Sequence, residues 1–378
     1  MTPPDVLVIG GGIIGRVAAI ELATAGATVT IVDAGTNAGS HANAGSLHVQ
    51  MQSRFIRLFP EQAPNVEAAL PLYKQAASVW ADLEARIGDC ELTRQGGLML
   101  AEGEAQMAFL EDKARREERR GLDVTLLDRA ALDRIAPWIG AQIVGAELCR
   151  DEGKLNPLLA GRRLEAECRR LGITVVTDSV QALERAGGGM VAHGRRSRYA
   201  AQEVVIAAAW GSGVIVRDFG VDIPTRAEPL HMNITEPCAY QIAHLVQHAE
   251  RPITFKQFKS GQIVIGGGWP ARDNGPDAVP SVRADSLLGN VALAARLVPA
   301  VGRLRLIRTW AGMNTTADGG SILGRLAREP RVTMAVPGDA GYTLGPLIGQ
   351  MAASIVLGQA PPADPAPYAP DRFAAATA

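Results

Sequence analysis

The chain is short of cysteine, and its cysteines are not paired. Its four thiols, Cys90, Cys149, Cys168 and Cys238, are too far apart for a C-x-x-C motif. That spacing argues against a C-x-x-C redox pair, and against an iron–sulfur cluster or structural zinc held by this chain alone. The expectation is four buried, reduced thiols and no metal site. An excess of one charge is lacking too. Lys and Arg number 38 against 39 Asp and Glu, a formal net charge of −1, so neither nucleic acid nor an anionic membrane is expected as the main partner. No run reaches the ~18 apolar residues that a membrane span requires. No leader stands out either, because the first strand begins at Asp5, directly after MTPP. The expected compartment is the cytoplasm, with peripheral attachment to a membrane through a partner left open.

What is present is ample for a large core. The 378 residues are 47% hydrophobic and 20% charged, as in a globular protein of two domains. The first 35 residues carry the sharpest signal. DVLVIGGGIIGRVAAIELATAGATVTIVDAG reads as strand, glycine turn, helix, strand and acidic residue. Gly10, Gly12 and Gly15 form G-x-G-x-x-G, and Asp33 closes the second strand. Gly10 allows the tight turn, Gly12 lets backbone approach a pyrophosphate, and Gly15 lets helix pack on strand. The helix N-terminus offers free N–H groups and partial positive charge to phosphates. Asp33 can accept hydrogen bonds from an adenosine ribose. A Gly-rich turn in another kind of α/β protein is the alternative.

Further along, GTNAGSHANAGSLHVQ is too poor in hydrocarbon for a core and reads as a loop ordered by a ligand. Residues 61–135 read mostly as helices, with TRQGGLMLAE as a short strand between two amphipathic stretches. The run KARREERR reads as a solvated helix face. EGKLNPLLAGRRLEAECRRLGITVVTD, EVVIAAAWGSG and RVTMAVPGDAGYTLGPLIGQ each carry βα character, while residues 226–310 are richer in strand-like runs. The pattern predicts a second domain threaded into the first by two insertions. The nucleotide-binding segments are 1–50, 141–225 and 306–370. The second domain is 51–140 and 226–305, and a Pro/Ala-rich tail covers 371–378. The tail is expected to be flexible or packed along a neighbour.

Taken together, VIGGGIIG with Asp33, SHANAGSL, EGKLNP, VVIAAAWG, PTRAEPL, TWAGMNTTADGGSILG and GDAGYTLGPLIG resemble the D-amino-acid oxidase, glycine oxidase and sarcosine oxidase superfamily. The resemblance spans nearly the whole chain. Within it, the SHANAGSLHVQMQSR loop is similar to the FAD subunits of heteromeric bacterial dehydrogenases for opines, proline, hydroxyproline and glycine. The implied fold class is α/β: a Rossmann-like FAD-binding domain of the glutathione-reductase βαβ type, with an inserted α+β substrate domain on a mixed or antiparallel sheet.

The resemblance implies FAD as cofactor. Gly10, Gly12, Ile13, Ile14, Gly15, Asp33 and Ala34 would hold its ADP half. Ser40, His41, Ala44, Gly45, Ser46 and Leu47 would line the pyrophosphate and flavin. Val180 would touch adenine, Ala207, Ala208 and Trp210 would lie beneath the cofactor, and Gly312 would face it. Gly338, Gly341, Tyr342, Thr343 and Leu344 would form the turn at the flavin's pyrimidine edge. Pro346 suits the first turn of a helix, so a helix from about Pro346 would aim its positive end at the flavin.

The implied chemistry is oxidation of a small amino-acid-type amine at its C–N bond, without a metal. Relatives of the glycine-oxidase kind carry an arginine after WAG for the substrate carboxylate; this chain has Asn314. Arg54, Arg226, Lys256 and Arg308 are the alternative cations, and His48, His231 and Tyr342 the candidate polar contacts. Each also reads as an ordinary surface or structural group. The narrower resemblance implies partner subunits carrying a second flavin or an iron–sulfur cluster. A self-contained oxidase producing hydrogen peroxide and a non-catalytic FAD-binding subunit are the alternatives.

Overall fold

The computed structural model describes residues 4–36, 39–57 and 60–373, without the side chains of Arg54 and Phe55. Two large sheets organise the chain. The first has six strands, in the order Ile322–Leu326, Glu329–Val336, Glu203–Ile206, Val6–Ile9, Val29–Asp33 and Thr174–Thr177. All its neighbours are parallel except Ile322–Leu326 with Glu329–Val336, an antiparallel hairpin. Val6–Ile9 lies near the centre and is buried at every position, as expected of a parallel strand covered on both faces.

The second sheet has eight strands: Leu306–Thr316, Arg226–Thr235, Ile263–Gly266, Thr254–Gln257, Leu245–His248, Gly97–Ala101, Gly145–Cys149 and Val124–Asp128. It is mixed, and its one parallel pair is Leu245–His248 with Gly97–Ala101. The fold is therefore the mixed α/β architecture expected from the sequence. The placement of two stretches differs from the segmentation above. Residues 145–149 and 306–316, grouped there with the nucleotide-binding segments, are strands of the eight-stranded sheet. The ladder explains why. Gly145–Cys149 pairs on both sides and is buried throughout. Leu306–Thr316 zips along Arg226–Thr235 over ten residue pairs. Val124–Asp128 is a strand within a region read as mostly helical.

The helices Ile13–Thr24 and Gly341–Leu357 pack side by side. A Cβ on Gly345 would lie 2.6 Å from Ile13, and one on Gly349 would lie 2.8 Å from Val17. Contacts 13 with 345 and 17 with 349 advance together, so the helices are parallel. Both positive N-terminal ends therefore point the same way. The second helix begins at Gly341, after Ala340 in the left-handed region, and not near Pro346. Pro346 sits inside it and cannot donate to the Tyr342 carbonyl, its i−4 acceptor. Trp80 Nε1 donates to that carbonyl instead, at 3.0 Å, and the Trp80 ring stacks on Tyr342 at 5.2 Å. Trp80→Phe keeps the stacking and strands the acceptor. The expected cost is about 1–3 kcal/mol, read by urea unfolding. Adding Pro346→Ala restores an in-helix donor and should recover part of it.

The tail packs on its own chain as far as it is described. Pro370 is buried, the turn Pro370–Phe373 lies against Ile322–Leu326, and Arg372 bonds Asp318 at 3.0 Å. Residues 374–378 lie outside the described residues.

Candidate dinucleotide-binding site

A cavity of about 630 Å³ lies where the two sheets meet. Its first wall is the turn after Val6–Ile9. Gly10 has φ +107°, and a Cβ there would lie 2.2 Å from Ala207 O, so only glycine fits. A Cβ on Gly15 would meet Gly10 O at 1.9 Å, which explains the third glycine. Asp33 accepts from Gly11 N–H at 2.6 Å and Gly35 N–H at 2.7 Å. Ser40 Oγ accepts from Ile13 N–H at 2.9 Å, which ties the Ser40 loop to the helix N-terminus.

The far wall is the turn that leads into the helix Gly341–Leu357. Pro337, Gly338, Gly341 and Tyr342 border the same cavity as Gly10, Gly12, Ile13 and Ile14. The two parallel helices thus bring their N-termini to one space, a setting that favours negative charge. Asp33, Ala34, Ser40, Val180, Ala207, Ala208, Trp210 and Gly312 also line it. The roof is one face of the eight-stranded sheet. Leu230 and Met232 point in, opposite Gly312 and Trp310 in register.

Other expected residues lie elsewhere. Gly15, His41, Ala44, Gly45, Ser46, Leu47, Thr343 and Leu344 are not among the lining residues. Ser46 instead bonds Lys256 Nζ at 2.6 Å. His231 is fully buried, and neither ring nitrogen has a hydrogen-bond partner. Because Leu230 and Met232 face the cavity, strand alternation turns His231 to the opposite face, where burial pushes its pKa down. His48 borders a separate hole of about 10 Å³ with Tyr73 and Ala340, 3.8 Å from Glu152. Arg226 is exposed. So is Arg308, whose guanidinium lies 5.7 Å from the Trp310 ring centroid. The side chain of Arg54 lies outside the described residues. The Tyr342 ring is buried against Trp80, and burial raises its pKa. Asn314 borders the cavity and donates to Glu228 at 3.0 Å.

Several lining residues carried no sequence signal. Thr177, Asp178, Ser179 and Gln181 come with Arg195 and Arg196 from adjoining turns, joined by Arg195 N–H to Ser179 O at 3.0 Å. Asp277 also lines the cavity and pairs with Arg195 at 2.8 Å. Burial works against the Asp178 charge, yet the Tyr199 hydroxyl and three backbone N–H groups hold its pKa below the usual carboxylate range. Only the alternation of LHMN, apolar residues at 230 and 232, could have told cavity face from core face.

The cavity fits an extended dinucleotide. The Gly12 position leaves open a space that a side chain would occupy, amides and Ser40 face the phosphate position, and an apolar roof covers the other end. Comparison with known proteins specifies the class. Residues 5–355 match the family model described as FAD dependent oxidoreductase, and the chain belongs to that family, DAO. It is an FAD-dependent oxidoreductase. Among its relatives is a glycine oxidase from Bacillus licheniformis, 26% identical, with 94% of this chain and 93% of the relative covered. A D-amino acid dehydrogenase from Methylobacterium radiotolerans is 25% identical, with 94% and 96% covered. The crystal structure of glycine oxidase from Geobacillus kaustophilus shares the fold, with TM-score 0.84, 20% identity and 98% of each chain covered.

Among the described residues no helix is long and apolar enough to cross a membrane. No group of three or more His, Cys, Asp or Glu among them could hold a metal ion.

Proposed function

We propose that this chain oxidises an amino-acid-type amine, such as an opine, a D-amino acid, glycine or an imino acid, at its C–N bond. The product is an imine that hydrolyses in water. The observation that carries this reading is the single cavity shared by the Gly10 turn, the Tyr342 turn and the apolar sheet face. The glycine turn and Asp33 hold the ADP half of FAD. Ser40 and the amides of the first helix meet the pyrophosphate. Val180 and its neighbours enclose the adenine, and the Gly338–Tyr342 turn meets the flavin. When bound, FAD supplies the two-electron acceptor for the carbon next to nitrogen. The protein's part is to orient that C–H bond and exclude water. Leu230 and Met232 do the excluding from the roof. The helix Gly341–Leu357 favours the negative charge that develops on reduction. Its dipole should raise the reduction potential.

We infer further that electrons pass to a separate subunit carrying a second flavin or an iron–sulfur cluster. The similarity of SHANAGSLHVQMQSR to dehydrogenase FAD subunits supports this. A self-contained oxidase is the second reading, favoured by full-length similarity to single proteins named glycine oxidase. The test is anaerobic addition of octopine, nopaline, D-amino acids, glycine, sarcosine and proline to the purified flavoprotein. At least one should bleach the flavin. Peroxide formed by the chain alone in air would select the oxidase. No bleaching by any amine would overturn the catalytic reading in favour of a non-catalytic FAD-binding subunit.

A further inference from the structure

The loop 267–283 leaves the strand Ile263–Gly266 of the eight-stranded sheet and reaches the nucleotide end of the cavity before the helix Ala284–Leu297 begins. Its roots are bonded to the roof strand and to each other. His231 N–H donates to Trp269 O and Ala271 N–H to Pro229 O, both at 2.8 Å. Arg272 and Ser281 exchange two backbone bonds, at 2.8 and 3.0 Å, which close the tip 273–280 into a compact loop with adjoining ends. The tip is built from its own turns. Gly275 N–H donates to the Asp273 carboxylate at 2.8 Å, and Asn274 Nδ2 donates to Val279 O at 2.8 Å. Pro276 and Asp277, at the far point of this tip, border the cavity.

The opposite side of the mouth is firmly tied. The Asp178 carboxylate accepts from the Ser179, Arg196 and Ser197 N–H groups and from the Tyr199 hydroxyl. Arg195 projects from the turn so fixed. Two guanidinium nitrogens of Arg195 meet the two carboxylate oxygens of Asp277, at 2.8 and 3.1 Å, fork against fork. Asp33, Val180 and Gln181 border the cavity on the Arg195 side. The pair therefore joins the two halves of the fold across the nucleotide end.

We propose that the loop 273–280 is a strap over the adenosine end of FAD, and that Arg195 and Asp277 form its clasp and set how fast FAD enters and leaves. This rests on the placement of the adenine beside Val180, and of the ADP half at Asp33, proposed above. Arg195 and Asp277 satisfy each other's charge, so parting them removes no bond to the nucleotide. Their side chains are 51% and 66% exposed, so water and salt weaken the pair and let it open. Opening clears the path in both directions. Loss of the clasp must then raise the rates of uptake and release together and leave affinity nearly unchanged. A residue that touches FAD would change release and affinity, with uptake unaltered.

The experiment follows FAD release from the loaded protein on dilution, by recovery of flavin fluorescence, and FAD uptake by the apoprotein, by its quenching. Asp277→Asn and Arg195→Gln should each speed both processes about two- to fivefold, with Kd changed by less than about twofold. High sodium chloride should speed exchange in the wild type but not in Asp277→Asn. The double variant Arg195→Asp with Asp277→Arg should return to about the wild-type rates. Unchanged rates in both single variants overturn the clasp. So does faster release with unaltered uptake, which would make the pair a direct contact of the cofactor. Rates that stay fast in the swapped protein overturn the pairing. Circular dichroism checks the fold of each variant. Should the variants fail to fold, the wild-type salt series decides, and salt-independent exchange overturns the clasp. Asp33→Asn separates the strap from its premise. Weaker FAD affinity in that variant, with no effect at Asp277, keeps the adenosine placement and removes the strap. Unchanged affinity in Asp33→Asn removes the placement and the strap with it.

Discussion

Gly12→Val protein should purify folded and colourless. Gly12 has φ −72° and ψ −171°, a backbone conformation open to any residue, so valine adds no backbone strain. Its Cβ would sit 3.1 Å from Ser40 Oγ, the oxygen that accepts from Ile13 N–H. The two methyl groups would project into the space where the phosphates approach. Crowding of this kind costs about 1–3 kcal/mol, and each lost bond to a charged oxygen about 1.5–3 kcal/mol. Together they weaken FAD binding by about a hundredfold or more. The readout is flavin per chain after dialysis, with circular dichroism to confirm the fold. Gly10→Ala should behave differently, because φ +107° and a 2.2 Å approach to Ala207 O damage the sheet turn itself. Normal flavin content in Gly12→Val would show that the glycine turn does not hold the pyrophosphate.

Lys113→Met should be the most destabilising change outside the cavity. Lys113 Nζ lies 2.8 Å from Glu117 and 3.0 Å from Glu147, with all three side chains fully buried. Burial works against the Lys113 charge, but Glu117 and Glu147 outweigh it and raise its pKa. Burial pushes Glu117 the other way for an acid, well above the carboxylate range, with Glu147 adding to it. The cluster also secures the loop beyond Ser46. Met51 N–H donates to Glu117 at 2.6 Å and Lys113 donates to Gln50 at 3.1 Å. Val49 and Gln50 N–H go to Glu152. Removing the lysine strands carboxylates in the core, at about 3–5 kcal/mol. Denaturant unfolding of the FAD-loaded protein reads the loss. The sign with pH follows from the acids. A buried carboxyl with a raised pKa destabilises more as pH rises through that pKa, so the deficit of Lys113→Met should shrink as pH falls. Glu117→Gln in the same chain should recover part of it. A loss below about 1 kcal/mol would mean the cluster relaxes into contact with water.

The nucleotide-binding turn was legible because its chemistry is local. Gly10 and Gly15 each meet a backbone contact that a Cβ would break, Gly12 keeps clear the space beside Ser40 Oγ, and Asp33 lies at the end of the next strand. The Tyr342 turn was legible as a motif, and its meeting with the Gly10 turn follows from the small faces of Gly345 and Gly349. Local signals failed where partners are distant in sequence. Pro346 looked like a first-turn proline because nothing near it announces that Trp80 supplies the missing donor. His231 looked available because a lone histidine does not say which face of its strand it occupies. Arg195 and Arg196 reach the cavity through a turn paired with Ser179, and Asp277 reaches it by pairing with Arg195, more than eighty residues away. Strands 145–149 and 306–316 were assigned by neighbourhood in sequence, whereas ladder pairing decides sheet membership.

The central claim is that the Gly10 turn and the Gly338–Tyr342 turn close around one FAD. Its most direct test is the flavin content of the purified wild-type protein, by absorption and by release of the cofactor on denaturation. One FAD per chain, released as intact dinucleotide, is the predicted result. A colourless protein that takes up no FAD on reconstitution, or one that retains only a nicotinamide dinucleotide, would contradict it.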